Sequence, residues 1–329
     1  MIDAKTTPQL EPGLDATLRL GLALVEDRLL EWTSSPVSFL QEGSHRVLQA
    51  GGKRFRPSVC LLAYLANGGR PFHSDVLDVA AMLELLHTAT LVHDDIIDDA
   101  DARRGIPSAH RQYGTSRAIL IGDHLLSAGF RALPQLDEEV QRSLLEAARL
   151  LAEGEATEME LTRSGVATLE EYFLVIAKKT ASLLQAATEC GARVARPDGA
   201  SVEAFAEFGF HAGIAFQLVD DLLDVEGVTE ITGKPTKWDL SRGVPNAAVL
   251  TTLEADLRGK PAAVRIPSGM ARELDVVLER MSQVGGDERV RRLARMYSAR
   301  ALEALQDVPA TEAGRFLSDQ IQQGLTRLR

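Results

Sequence analysis

Residues 82–98 read MLELLHTATLVHDDIID. The apolar residues Met82, Leu83, Leu85, Leu86 and Val92 recur at helical spacing, and the pattern reaches back to an N-cap at Ser74. It runs directly into three carboxylates, Asp94, Asp95 and Asp98. On a helix advancing about 100° per residue these fall at about 0°, 100° and 40°, within one sector. Ile96 and Ile97, in the gap, are expected to point away from that sector, into the protein.

The pattern returns as Asp220-Asp221-Leu222-Leu223-Asp224. Three carboxylates on one helix face repel one another by a few tenths of a kcal/mol per pair. A divalent cation reverses that sign. Mg²⁺ takes hard carboxylate oxygens and is typically held by one or two of them plus substrate phosphates. A single Asp-Asp-x-x-Asp is also what a solvated acidic face looks like. Here both copies adjoin apolar helix, Leu91-Val92 before one and Phe216 to Val219 before the other, so the pair reads as a two-sided grip on a phosphorylated ligand.

Outward from these clusters the chain is helical in composition. Of 329 residues 45% are hydrophobic but only 5% aromatic, which leaves Leu, Ala, Val and Ile to build the core. Leu and Ala favour helices, whereas strands favour aromatic and β-branched residues. Amphipathic stretches are expected over 18–30, 136–162, 201–225, 272–281 and 288–305. The buried stripe of the second is read as Leu144, Leu145, Ala148, Leu151 and Ala152. Gly and Pro mark turns at 68–71, 105–107, 196–199 and 258–261, and a longer polar connection spans 227–246. No strand alternation, heptad seam, repeat or low-complexity linker interrupts this, so residues 1–329 read as a single all-α domain.

Charge and cysteines narrow the function. Lys and Arg total 36 against 47 Asp and Glu, a formal net charge of −11, which argues against a nucleic-acid binder. Cys60 and Cys190 form neither a disulfide framework nor a metal spacing, and a reducing compartment, the cytoplasm, is expected. No basic leader and no bilayer-spanning segment is read. Candidate anion-binding cations are Lys53 and Arg56 in GGKRFRP, the consecutive Arg103 and Arg104, Lys179 beside Thr180, and Lys234 after Gly233. The two arginines face different sides and so suit two different anions. His87 lies seven residues before Asp94, about 10 Å along the same helix face, and suits a phosphate. His93 reads as a packed or hydrogen-bonded core histidine.

Taken together and in order, GGKRFRP, HTATLVHDDIIDDADARRG, GDHLL, KKTA, FQLVDDLLD and TGKPTKWD resemble the trans-isoprenyl diphosphate synthases, the polyprenyl synthetase family. The resemblance spans about Gly51 to Leu250. It implies an antiparallel all-α bundle around a deep central cavity, a homodimer, and head-to-tail condensation of isopentenyl diphosphate with an allylic diphosphate. It implies Mg²⁺ on Asp94, Asp98 and Asp220, with Asp95, Asp221 and Asp224 supporting the clusters. Arg103, Lys179 and Lys234 would touch the allylic diphosphate. Lys53, Arg56, His87 and Arg104 would bind isopentenyl diphosphate, and Thr180 and Gln217 would line the reacting region. Three positions depart from the family pattern: Glu158 stands for Gln, Val244 for a Lys, and Asn246-Ala247-Ala248 for Thr-x-Pro. The Val244 departure removes one cation from its loop. Intact second-cluster aspartates argue against a class I terpene cyclase, and two intact clusters argue against a regulatory subunit.

The resemblance also assigns product length to the fifth residue before the first Asp, here Ala89. Helix angles alone favour Thr90, about 40° from Asp94, over Ala89, about 140° away. Both are small and leave a tunnel open, so a product longer than farnesyl diphosphate, a long-chain polyprenyl diphosphate, is expected. In the Ala89→Tyr variant chromatography of the extracted product should show shorter chains. An unchanged length distribution would remove Ala89 from the tunnel.

Overall fold

Long apolar helices that must bury most of their circumference have to pack against several neighbours at once. The computed structural model describes residues 13–196, 198–226, 242–255, 263–266 and 271–326. Its helices are α1 (Leu14–Trp32), α2 (Ser38–Gln49), α3 (Phe55–Ala66), α4 (Ser74–Ile97), α5 (Ala109–Tyr113), α6 (Thr115–Phe130), α7 (Glu138–Ser164), α8 (Leu169–Ile176), α9 (Ser182–Val194), α10 (Gly199–Glu226), α11 (Ala247–Ala255), α12 (Ala271–Val284), α13 (Gly286–Ala304) and α14 (Glu312–Thr326). The only strands among the described residues are two two-residue antiparallel ladders. The all-α expectation holds. Lys234 lies outside the described residues, as does most of the 227–246 connection and the turn at 258–261.

Two apolar clusters form the interior. One gathers Leu61 and Leu62 of α3, Met82, Leu83 and Leu85 of α4, Ile121 and Leu125 of α6, and Phe205 and Phe208 of α10. The other gathers Tyr172 of α8, Leu218 and Leu222 of α10, Leu250 of α11 and Val290 of α13. Helix α10 serves both with successive stretches of its length. Helix α4 is long and apolar enough by composition to cross a bilayer, yet 72% of its most apolar window is buried against the rest of the chain, as expected of a central core helix. It begins at Ser74, but the cap is His73, whose ring accepts the Asp75 amide.

Small residues set how closely the helices meet. A Cβ on Gly191 of α9 would lie 2.2 Å from the Cys60 carbonyl oxygen of α3. A Cβ on Gly154 of α7 would lie 2.8 Å from the Lys179 amide. That second approach corrects the expected face of α7. Its buried residues are Val140, Leu144, Ala147, Leu151, Gly154 and Leu161. Leu145 is exposed, Ala148 half-buried and Ala152 exposed, because the small Ala147 and Gly154, with Leu144 and Leu151, occupy the contact line.

Helix α8 continues into α9 through a π turn, Ala177–Ala181, where a plain helix was expected. Such single turns insert one extra residue and often mark functional sites. Here the turn carries Lys178, Lys179 and Thr180.

Gly191→Ala should overpack the α3–α9 contact against backbone that has little room to move. A loss of about 1–3 kcal/mol is expected, measured as a lower urea midpoint with an unchanged m-value.

Candidate functional site

Both acidic clusters occupy the C-terminal turns of long helices, α4 and α10, with no basic residue of their own there. The two do not present three equivalent carboxylates. In each, the middle residue is buried, Asp95 and Asp221, while Asp94, Asp98, Asp220 and Asp224 remain partly exposed. In the second cluster Leu222 and Leu223 are buried as expected. In the first, Ile96 is half-buried and Ile97 is 41% exposed, which corrects the expectation for that pair. The cause is that α4 ends at Ile97, so the chain leaves the core there.

The buried aspartates hold other parts of the site. Arg103 Nε donates to Asp95 Oδ1 at 2.6 Å. Asp221 accepts from the Tyr172 hydroxyl (2.8 Å), the Ala247 amide (2.7 Å) and the Gln217 side-chain amide (3.0 Å). The Gln217 carbonyl in turn accepts from the Thr180 hydroxyl at 2.9 Å. Asp221 thus ties α10 to α8, the π turn and the start of α11. Asn246 caps α11, accepting the Ala248 amide at 2.8 Å, so the departure from Thr-x-Pro keeps an N-cap. Burial nevertheless pushes Asp221 up to about 7, against those three donors, with Asp220 adding to the rise.

Lys179 reaches from the π turn into this acid-rich side. Its Nζ lies 2.5 Å from both Glu155 Oε2 and Glu158 Oε2 of α7. Burial works against its charge, but Glu158, Asp94 and Glu155 outweigh that and raise its pKa. Asp94 is pushed up to about 7 by burial, with Glu155 and Asp98 adding to the rise and Lys179 and Arg103 opposing it. Asp98 meets a further cation, Arg242, whose Nη1 lies 2.6 Å from Asp98 Oδ1.

On the other side the charge is reversed. The ladder Ala102–Arg103 with Ile106–Pro107 is a hairpin whose two loop residues, Arg104 and Gly105, both have positive φ, 52° and 78°. That geometry matches the strand twist, and it turns Arg104 away from Arg103. Arg104 donates to the Gly51 carbonyl. Nearby, Arg56 Nε is buried with no hydrogen-bond partner. Burial, with Arg104 adding to it, lowers the Arg56 pKa to about 10 while Glu84 opposes the fall. His87 is held well below its usual value by burial and then by Arg56, Arg104, Arg103 and Arg54, so at neutral pH it is an uncharged donor. Arg54 takes no part, since it is bound to Glu26, Glu84 and the Leu48 carbonyl. Lys53 is exposed beside this pocket. An unpartnered guanidinium nitrogen amid like charges suits an anion.

Below the first cluster Ala89 is fully buried. Thr90 is half-exposed, and its hydroxyl donates to the His87 carbonyl at 2.8 Å. His93 packs against Gly122 with Nε2 3.3 Å from the Ile119 carbonyl, so the expected packing and hydrogen bond are present, but the side chain is partly exposed and not in the core. Sequence reasoning missed Tyr172, Glu155 and Arg242. Tyr172 carried no local signal, since its partner Asp221 is distant in sequence. Arg242 lies two residues before Val244, and its partner Asp98 is distant in sequence.

Among the described residues no three His, Cys, Asp or Glu side chains converge to hold a metal by themselves. The donor set still suits Mg²⁺, which is commonly bound by one or two carboxylates and completed by phosphate oxygens and water.

A family model described as Polyprenyl synthetase matches residues 37–266. An octaprenyl diphosphate synthase of Escherichia coli (strain K12) is 33% identical over 295 residues, covering 88% of this chain and 90% of that protein. A short chain isoprenyl diphosphate synthase of Methanothermobacter thermautotrophicus is 35% identical over 315 residues, covering 92% and 96%. A crystal structure of a polyprenyl synthase from Caulobacter crescentus, complexed with calcium and isoprenyl diphosphate, superposes with a TM-score of 0.84 at 28% identity, covering 97% of this chain and 99% of that one.

Tyr172→Phe deletes one donor to a buried carboxylate and leaves two. Stability should fall by about 1–2 kcal/mol in urea unfolding, with the helical circular dichroism of the folded protein unchanged.

Proposed function

The chain belongs to the polyprenyl synthetase family and is a trans-prenyltransferase that joins isopentenyl diphosphate head-to-tail to an allylic diphosphate; we propose that it makes a long-chain polyprenyl diphosphate, with Mg²⁺ as its metal. The observation that carries the assignment of sites is the pair of half-sites meeting at Arg103-Arg104. One is rich in carboxylates with cations threaded between them. The other is cationic, with an unpartnered Arg56 Nε.

In this reading Asp94, Asp98 and Asp220 hold Mg²⁺, which neutralises the diphosphate and stabilises it as a leaving group. Arg103, Lys179 and Lys234 add direct contacts to the same diphosphate. Asp95 orients Arg103, and Asp221 orients Thr180 through Gln217. Asp224 completes the second cluster. The cationic pocket, Lys53, Arg56, His87 and Arg104, takes isopentenyl diphosphate. His87, uncharged there, offers an N–H without adding to the crowd of positive charge.

Cations preorganised on the developing diphosphate charge act as electrostatic catalysis and need no reorganisation during ionisation. The allylic cation then requires an apolar, water-poor wall, or hydrolysis wins. Helix α4 supplies such a wall directly below Asp94. The alkene of isopentenyl diphosphate attacks the cation, and the released diphosphate takes the proton that leaves. Ala89 and Thr90 place no bulky side chain below Asp94 to stop a lengthening tail, which is the support for a product longer than farnesyl. Relatives named for octaprenyl and for short-chain products are similarly close, so overall likeness does not choose the length and the residues below Asp94 carry that choice. The reading extends to a single-domain, cytoplasmic homodimer.

Purified protein with Mg²⁺, farnesyl diphosphate and labelled isopentenyl diphosphate should yield extractable products longer than the primer. Asp94→Ala and Asp220→Ala should each cut turnover by at least about a hundredfold, the loss typical of a deleted charge-stabilising group. Absence of elongation by the wild-type protein would sink the assignment.

A further inference from the structure

Arg242 is the one described cation that bridges from the segment after α10 to the acidic end of α4. Its Nη1 lies 2.6 Å from Asp98 Oδ1, with the two side chains 29% and 23% exposed. The contact is ionic without hydrogen-bond alignment, and that buried nitrogen has no hydrogen-bond partner elsewhere. A charge pair of this kind neutralises Asp98 but is not locked in place. Asp98 stands at the end of α4, where the helix dipole makes a carboxylate least welcome, and no basic residue of the last turn compensates it. A cation from elsewhere in the chain therefore does so.

The neighbouring sequence gives the contact a second meaning. Val244 stands where the family pattern has a lysine, and Arg242 is two residues earlier, on the other side of Gly243, whose φ is +75°. The arginine is thus on the same short segment as the missing charge. It carries a planar fork suited to a diphosphate.

Resting on the prenyltransferase reading above, we infer that Arg242 is a substrate-binding residue with two partners: it pairs with Asp98 while the divalent ion is absent, and binds the allylic diphosphate once that ion takes Asp98. Arg242 and the metal compete for one carboxylate oxygen. Metal affinity of the substrate-free protein is lowered by the strength of the pair. Diphosphate and metal then bind with positive coupling, because the ion releases the arginine that the diphosphate uses.

The test is metal binding without turnover. Mn²⁺ binding to the substrate-free protein is measured by electron paramagnetic resonance for wild type, Arg242→Ala, Arg242→Lys and Arg142→Ala. The last removes one exposed charge far from the site and controls for net charge. Arg242→Ala should bind Mn²⁺ about two- to fivefold more tightly than wild type, the range of partly exposed ion pairs. Arg242→Lys should fall between, and Arg142→Ala should match wild type. With saturating Mg²⁺, inorganic pyrophosphate should bind Arg242→Ala at least about threefold more weakly by calorimetry. Mn²⁺ affinity unchanged in Arg242→Ala, or shifted equally in Arg142→Ala, overturns the inference. Unchanged pyrophosphate affinity overturns it as well, since the second partner is then lost. Elongation by wild type, assayed on the same preparation, separates the cases: activity with unchanged affinities sinks only the role of Arg242, whereas no elongation sinks the reading beneath it.

Discussion

Everything in this site follows from placing carboxylates at the wrong end of two helices. The C-terminus of a helix carries a partial negative charge, so acids there are destabilised before they meet one another. Helices α4 and α10 both carry aspartates at their C-terminal ends and neither has a basic residue in its last turn. The chain answers with cations brought from other elements: Arg103 from a hairpin, Lys179 from a π turn and Arg242 from beyond α10. Each brings one positive charge to a region that holds more negative charge than they can cancel. Burial raises Asp94 to about 7 even with Lys179 and Arg103 opposing the rise. In the proposed reading a divalent ion supplies the balance, a large positive charge in a small volume.

The π turn deserves its place in that account for a structural reason. A regular helix through Ala177–Ala181 would advance Lys179 and Thr180 by one residue's rotation relative to α7 and α10. The extra residue lets Lys179 meet Glu155 and Glu158 while Thr180 meets Gln217. Gly154 permits it by leaving room for the Lys179 backbone. Glu158 is the departure from Gln, and its effect is now physical: a carboxylate replaces a neutral amide beside Lys179, so more of the lysine's charge is spent inside the protein. Lys179 is consequently a weaker free cation for an incoming anion than its position suggests.

Much of this was legible in sequence because it is local. The two aspartate clusters, the arginine pair and the apolar run of α4 each lie within a few turns of helix, where 100° per residue fixes relative direction. Even there, periodicity treated α4 as endless and so buried Ile97, which the helix end in fact exposes. Long-range partners left no such trace. Nothing near Tyr172 announces Asp221, and nothing near Arg242 announces Asp98. The face of α7 was misread for a related reason. Hydrophobic size nominated Leu145, but close approach selected Ala147 and Gly154, because a helix contact is set by what fits before it is set by what is apolar.

Whole-chain charge was misleading in the same way. At −11 the protein looks hostile to anions, yet its ligands carry diphosphates. Coulomb interactions among exposed charges fade over a Debye length of about 8 Å in physiological salt, so distant surface acids hardly matter to a bound phosphate. What matters is the arrangement within that distance. Around Arg56 and His87 burial is the main cause of the lowered affinity for protons, with neighbouring arginines adding to it and Glu84, itself bound to Arg54, opposing it at Arg56. The acid-rich half-site is built the other way, and a single hairpin serves both: Arg103 turns to Asp95 of one, while Arg104 reaches the Gly51 carbonyl beside the other.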